Sequence, residues 1–162
     1  MLRTLGRAIL QPLVAALALG WAGAADAAGT REVVDLAGRT VAVPETVERV
    51  ILGEGRYIPT LAILDRDDPV KRVAGVLGEW QRLDPAGHGR YLARFPDLAG
   101  IPLIGRASAD SFSLEKAIAL QPDVAIFGIE GHGPSAAASD VIARLEAAGI
   151  AVVFIDFRPQ PL

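Results

Sequence analysis

From residue 49 onward, short uninterrupted apolar runs alternate with stretches of helical periodicity, and few architectures accommodate that pattern. The runs are Arg49-Val50-Ile51-Leu52-Gly53, Arg72-Val73-Ala74-Gly75-Val76-Leu77, Pro102-Leu103-Ile104-Gly105, Val124-Ala125-Ile126-Phe127-Gly128 and Ala151-Val152-Val153-Phe154-Ile155-Asp156. A strand that is apolar at every position is buried on both faces, the condition of a parallel strand covered by helices. The spacing therefore predicts βαβ units and a parallel sheet of about five strands.

Helices are expected between the runs. One begins within residues 56–60 and turns Leu61 and Leu64 to the core. One covers about residues 84–95, with Tyr91, Leu92 and Phe95 facing inward despite Gly87 and Gly89. Ser113 caps a third, which carries Leu114, Ala117 and Ile118 and is stopped by Pro122. Pro134 opens the last, Val141, Ile142 and Leu145 form its buried stripe, and Gly149 stands where a left-handed C-cap belongs. Ahead of the repeating pattern, Glu32-Val33-Val34 and Thr40-Val41-Ala42-Val43 flank the turn residues Asp35-Leu36-Ala37-Gly38-Arg39, which predicts a hairpin closed by Pro44. The fold class is α/β: an N-terminal β-hairpin followed by a Rossmann-like parallel sheet with helices on both faces.

The N-terminus reads as an export signal. Arg3 and Arg7 precede an Ala/Leu-rich stretch over residues 13–21, and Ala25-Asp26-Ala27 is a small-x-small cleavage site, so residues 1–27 are expected to be removed before Ala28. A membrane anchor needs about 20 apolar residues, and Gln11 and Pro12 interrupt the uncharged stretch here. The mature chain, residues 28–162, is expected to be a single domain in the periplasm. The chain has 162 residues, no Cys and a formal net charge of −3. The missing cysteine excludes a disulfide scaffold, a zinc ribbon and a thiol nucleophile, and rules out a lipid on an N-terminal cysteine. Mild acidity without a Lys/Arg block argues against a nucleic-acid partner.

Open α/β sheets bind ligands beyond the carboxyl ends of their strands. Those ends collect Arg56, Tyr57, Trp80, Arg82, Arg106, His132 and Arg158. Arginines beside aromatics suit an anionic ligand with flat parts. Gly53-x-Gly55 lacks the third glycine of a dinucleotide loop, its position being held by Ile58, and no glycine–lysine phosphate loop exists. Two histidines, His88 and His132, do not make a metal cage, and no nucleophile elbow supports a hydrolase. No cofactor and no resident metal are expected.

Three segments, in order, carry a resemblance. Val34-Asp35-Leu36-Ala37-Gly38-Arg39-Thr40-Val41 with Pro44 and Glu48-Arg49-Val50, then residues 113–126 (SLEKAIALQPDVAI), then residues 149–156 (GIAVVFID), resemble periplasmic binding proteins of ABC importers for iron–siderophore, haem and cobalamin. The resemblance covers about residues 32–157 and implies the N-terminal lobe of a two-lobed protein, with the C-terminal lobe absent, as in a truncated product or fragment. It implies capture of a metal chelate such as a ferric siderophore, haem or cobalamin, and delivery to an inner-membrane ABC permease, without enzymatic chemistry. It further implies ligand contacts at Arg56, Trp80, Arg106 and Arg158, with Tyr57 and His132 behind them, and a permease-docking carboxylate at Glu115. The competing readings are a secreted single-domain α/β enzyme using Glu130, His132 and Asp156, and a nonfunctional remnant.

Overall fold

The computed structural model describes residues 29–156. The expected export signal and Arg158 lie outside these residues. The chain opens with the predicted hairpin: β1 (Thr30–Val34) pairs antiparallel with β2 (Thr40–Pro44), Thr30 opposite Pro44 and Val34 opposite Thr40. Asp35 Oδ1 accepts the backbone N–H groups of Ala37 and Arg39 at 3.0 and 2.9 Å, and Gly38 takes the left-handed conformation (φ 77°) that the turn requires.

Five strands form the main sheet: β3 (Val50–Leu52), β4 (Val73–Leu77), β5 (Leu103–Gly105), β6 (Val124–Gly128) and β7 (Ala151–Ile155). All pairings are parallel, in the order β5-β4-β3-β6-β7. Side chains alternate across the sheet, and two cores result. Val50, Leu52, Val73 and Val76 face α1 (Ile58–Leu64), α2 (Glu79–Leu83) and α3 (Pro85–Arg94), with Ile58, Trp80 and Tyr91 packed among them. Ile51, Ile104, Phe127, Val152 and Phe154 face α4 (Leu114–Ala119) and α5 (Ser139–Ala147), which contribute Leu114, Ala117, Ile142 and Leu145. Ser113 caps α4, its hydroxyl accepting the Lys116 N–H at 3.4 Å, and Gly149 (φ 82°) ends α5 as expected.

Three expectations are corrected. Leu64 is 80% exposed, and only Ile58 of α1 is fully buried. At about 100° per residue, Leu64 stands some 240° round the axis from Ile58, so the two cannot share a face. Pro134 does not open α5, which begins at Ser139; Pro134 is buried in the preceding loop. Residues 79–83, read as a loop, form the short helix α2. It is bounded by Gly78 and by Asp84, whose Oδ1 caps α3 by accepting the Gly87 N–H at 2.8 Å.

The hairpin docks on the edge strand β7. Leu36 N–H donates to Phe154 O at 3.0 Å, Asp35 Oδ2 accepts the Phe154 N–H at 3.4 Å, and the Arg39 guanidinium donates to Val152 O and, at 3.2 Å, to Glu146. Hydrogen-bonding groups that an edge strand would present to other chains are thereby covered.

Candidate functional site

The strand order reverses between β3 and β6, and their carboxyl ends define the switch point where a doubly wound sheet ordinarily takes its ligand. Here that crevice is filled. A Cβ on Gly133 would lie 3.0 Å from both Cα and O of Gly53, so the backbones of the loops after β6 and β3 meet there with no room for a side chain. Glu54 Oε1 accepts the His132 backbone N–H at 3.2 Å, a bond that ties the same two loops together.

Arg56 follows in the 3-10 turn at Gly55–Tyr57 and is surrounded by carboxylates. Its guanidinium meets Glu54 Oε2 at 2.9 Å and Glu79 Oε1 at 3.9 Å, while its backbone N–H donates to Glu79 Oε1 at 3.1 Å. The His132 Nδ1 stands 3.4 Å from Glu54 Oε1 and 3.5 Å from the Arg56 guanidinium. Glu79 is fully buried, and its Oε2 has no hydrogen-bond partner among the described residues. Neither carboxylate was singled out from the sequence. The pattern that could have found them is a repeated Gly-Glu step, Gly53-Glu54 after β3 and Gly78-Glu79 after β4.

The two aromatics lie in the core rather than on the rim. Tyr57 is 7% and Trp80 4% exposed. Trp80 packs edge-on against His88 and Tyr91 at centroid distances of 5.3 and 5.2 Å, and its indole N–H donates to Asp84 at 3.4 Å. The Asp84 carboxyl sits below its usual value. The Gly87 N–H is the largest cause, and the Trp80 indole and the charge of Arg90 add to it against a smaller upward push from desolvation. Both rings were expected to lie against flat parts of a ligand, but each already serves as packing between the sheet and its helices.

Arg106, by contrast, is exposed, just beyond the end of β5. It lines an open depression with Arg82, Ala107, Ser108, Asp110 and Ser111. Its backbone is held: Ser111 Oγ accepts the N–H groups of Arg106 and Ser108 at 2.9 and 3.3 Å and donates to Ser108 O at 2.7 Å. Glu115 is exposed in the first turn of α4, where a carboxylate also complements the helix dipole. The structure thus brings Arg56 and His132 together at the switch point and leaves Arg106 apart from them, on the half of the edge formed by β4 and β5. Among the described residues there is no cluster of three or more metal-ligating side chains, and no helix is long and apolar enough to cross a membrane.

No protein-family model and no curated protein matches the chain. Solved structures do. The TroA-like periplasmic binding protein FepB from Veillonella parvula matches with 29% identity and a TM-score of 0.65, over 77% of this chain and 36% of that one. The molybdate periplasmic binding protein MolA of Haemophilus influenzae matches with 23% identity and a TM-score of 0.59, over 81% and 36%. The heme binding protein HmuT matches with 21% identity and a TM-score of 0.54, over 80% and 36%. The chain therefore spans about a third of the length of the proteins whose fold it shares.

Proposed function

We propose that this chain, which has the fold of one lobe of the TroA-like periplasmic binding proteins, is a solute-capturing component of an ABC importer, exported after cleavage at residue 27. Its solute is a metal chelate of the siderophore type, taken at the carboxyl edge of the sheet and handed to an inner-membrane permease. The observation that carries this reading is the hairpin-plus-doubly-wound-sheet fold shared with FepB at 29% identity, with cationic side chains, Arg56 and Arg106 among them, on its carboxyl edge. Capture asks for charge and shape at that edge and for no bond-making group. Arg106 is the contact proposed there, with Arg158 beyond the described residues; Arg56 and His132 stand on the same edge but are engaged with Glu54.

Glu115 is proposed as the docking carboxylate. It is exposed, and nothing in the cores depends on it. Titrating the full chain with ferric catecholate, ferric hydroxamate, haem, cobalamin and molybdate, followed by fluorescence, tests the capture reading. Saturable one-to-one binding of one of them supports it; binding of none refutes it. Glu115→Ala is expected to leave affinity unchanged and to lower uptake in cells, and a loss of affinity would remove the docking role.

A further inference from the structure

We infer that the captured solute is an anion with at least two negatively charged oxygens, and that Arg82 and Arg106 together grip it. The inference rests on the capture reading above and narrows it to a ligand class and a pair of residues.

The arginines at the carboxyl edge are not equivalent. Arg56 stands between two carboxylates, Glu54 and Glu79, the latter wholly buried. Its guanidinium is already engaged by both of them, which leaves it little to offer an approaching anion. The touching backbones of Gly53 and Gly133 close the crevice beneath it. Arg56 therefore acts as a positioning residue that pins the two switch-point loops to each other.

Arg82 and Arg106 differ on each count. Both are exposed, and neither forms an ion pair among the described residues. They line one depression of about 630 Å³ in which Asp110 is the only carboxylate, for a balance of +1. The depression is open to solvent, so it offers a ligand the two guanidiniums rather than enclosure. The two residues come from adjacent elements: Arg82 from α2 after β4, and Arg106 from the loop after β5, with Gly78 N–H donating to Gly105 O at 3.2 Å between them. Behind Arg82, α2 is anchored by buried Trp80; behind Arg106, the backbone is fixed by Ser111. Each guanidinium is thus a free fork on a held backbone. Two planar forks match paired oxygens of catecholate, carboxylate or oxyanion groups. A neutral chelate gains nothing from either.

The test is a titration of the full chain with two anionic probes, a trianionic ferric tris-catecholate and molybdate, and one neutral probe, a ferric tris-hydroxamate, at low and high salt. Arg82→Ala and Arg106→Ala are measured alongside; neither removes an ion pair or a core contact. The expected result is that an anionic probe binds and the neutral one does not. Each substitution should weaken binding about tenfold or more, and affinity should fall with salt. Binding of the neutral probe as tightly as the anions, or an Arg82→Ala variant that binds like wild type, overturns the inference and leaves the capture reading in place. If none of the three probes binds, the inference falls, whereas the capture reading falls only when haem and cobalamin fail to bind as well.

Discussion

Replacing Asp35 probes how the hairpin is fastened to the sheet. Its side chain is fully buried and accepts four N–H groups: Ala37 and Arg39 backbone at 3.0 and 2.9 Å, Arg39 Nε at 3.0 Å, and Phe154 backbone at 3.4 Å. In Asp35→Ala the turn N–H groups and the partly exposed Arg39 recover water, but the Phe154 N–H on the edge strand does not. An orphaned buried donor costs about 1–3 kcal/mol and a lost charge-assisted bond about 1.5–3 kcal/mol. Arg39 keeps Glu146 and Val152 O, so the total should stay near the lower end of the roughly 3–5 kcal/mol for breaking a buried pair, or about 10 °C in Tm. Asp35→Asn retains one carbonyl oxygen and should lose about 2 kcal/mol. The pH dependence has a definite sign. Burial pushes the Asp35 carboxyl up, but the Arg39 and Phe154 hydrogen bonds and the Arg39 charge outweigh it, and the group sits below its usual value. Its contribution is therefore complete above the unfolded carboxylate value of about 3.9 and is lost as pH falls through the lower folded value. Urea unfolding from neutral to strongly acid pH measures both effects. An Asn variant as stable as wild type at neutral pH, with an unchanged acid limb, would refute the reasoning.

Other expectations follow from single contacts. Gly133→Ala forces a methyl to within 3.0 Å of the Gly53 backbone and should cost about 1–3 kcal/mol; an unchanged urea midpoint would mean the switch-point loops do not touch. Leu64→Lys should change stability by no more than about 0.5 kcal/mol, as for an ordinary surface site, and a loss of several times that would restore the buried face expected from the sequence. Arg106→Ala should weaken binding of an anionic chelate, whereas Arg94→Ala, whose guanidinium lies 5.7 Å from the Phe95 ring on α3, should not; equal losses in a titration would dissolve the distinction.

The strands were legible because full burial on both faces leaves a run of apolar residues that admits little else. β6 and β7 coincide with their runs almost residue for residue. Helices were legible where a cap or a clear stripe marked them, as at Ser113 or at Ile142 and Leu145, and hard to read where a short element has no side-chain cap. The five residues of α2 and seven of α1 show little of a 3.6-residue period and have no side-chain cap to mark their start, so α2 went unseen and Leu64 was placed on the wrong side. The strand-end loops were also found, but not the fate of their side chains. Tyr57 and Trp80 look like rim aromatics in sequence; the 3-10 turn and α2 fold them under, where burying a large ring outweighs displaying it. Pairing between charges is further still from the sequence, since Glu79 reaches Arg56 from 23 positions away.

That pairing decides where an anion is able to go. In a doubly wound sheet that binds nucleotides, the switch point stays open so that phosphate meets backbone N–H groups at a helix N-terminus. Here Glu79 takes the Arg56 N–H in the turn leading into α1 and Glu54 takes the His132 N–H, so protein carboxylates already hold backbone N–H groups of these loops. Among the described residues, the cation at the crevice is already engaged by carboxylates, and an incoming anion meets cations without an ion pair on the outer half of the edge, at Arg82 and Arg106. Guanidiniums on an open rim act through water, and salt screens them over about 8–10 Å. Attraction at such a rim governs which ligands arrive and how they are oriented, while tight retention needs surface that shuts water out. A ligand held here by charge alone should therefore bind in a strongly salt-dependent way, and any salt-resistant part of its affinity must come from apolar area covered beyond the two arginines.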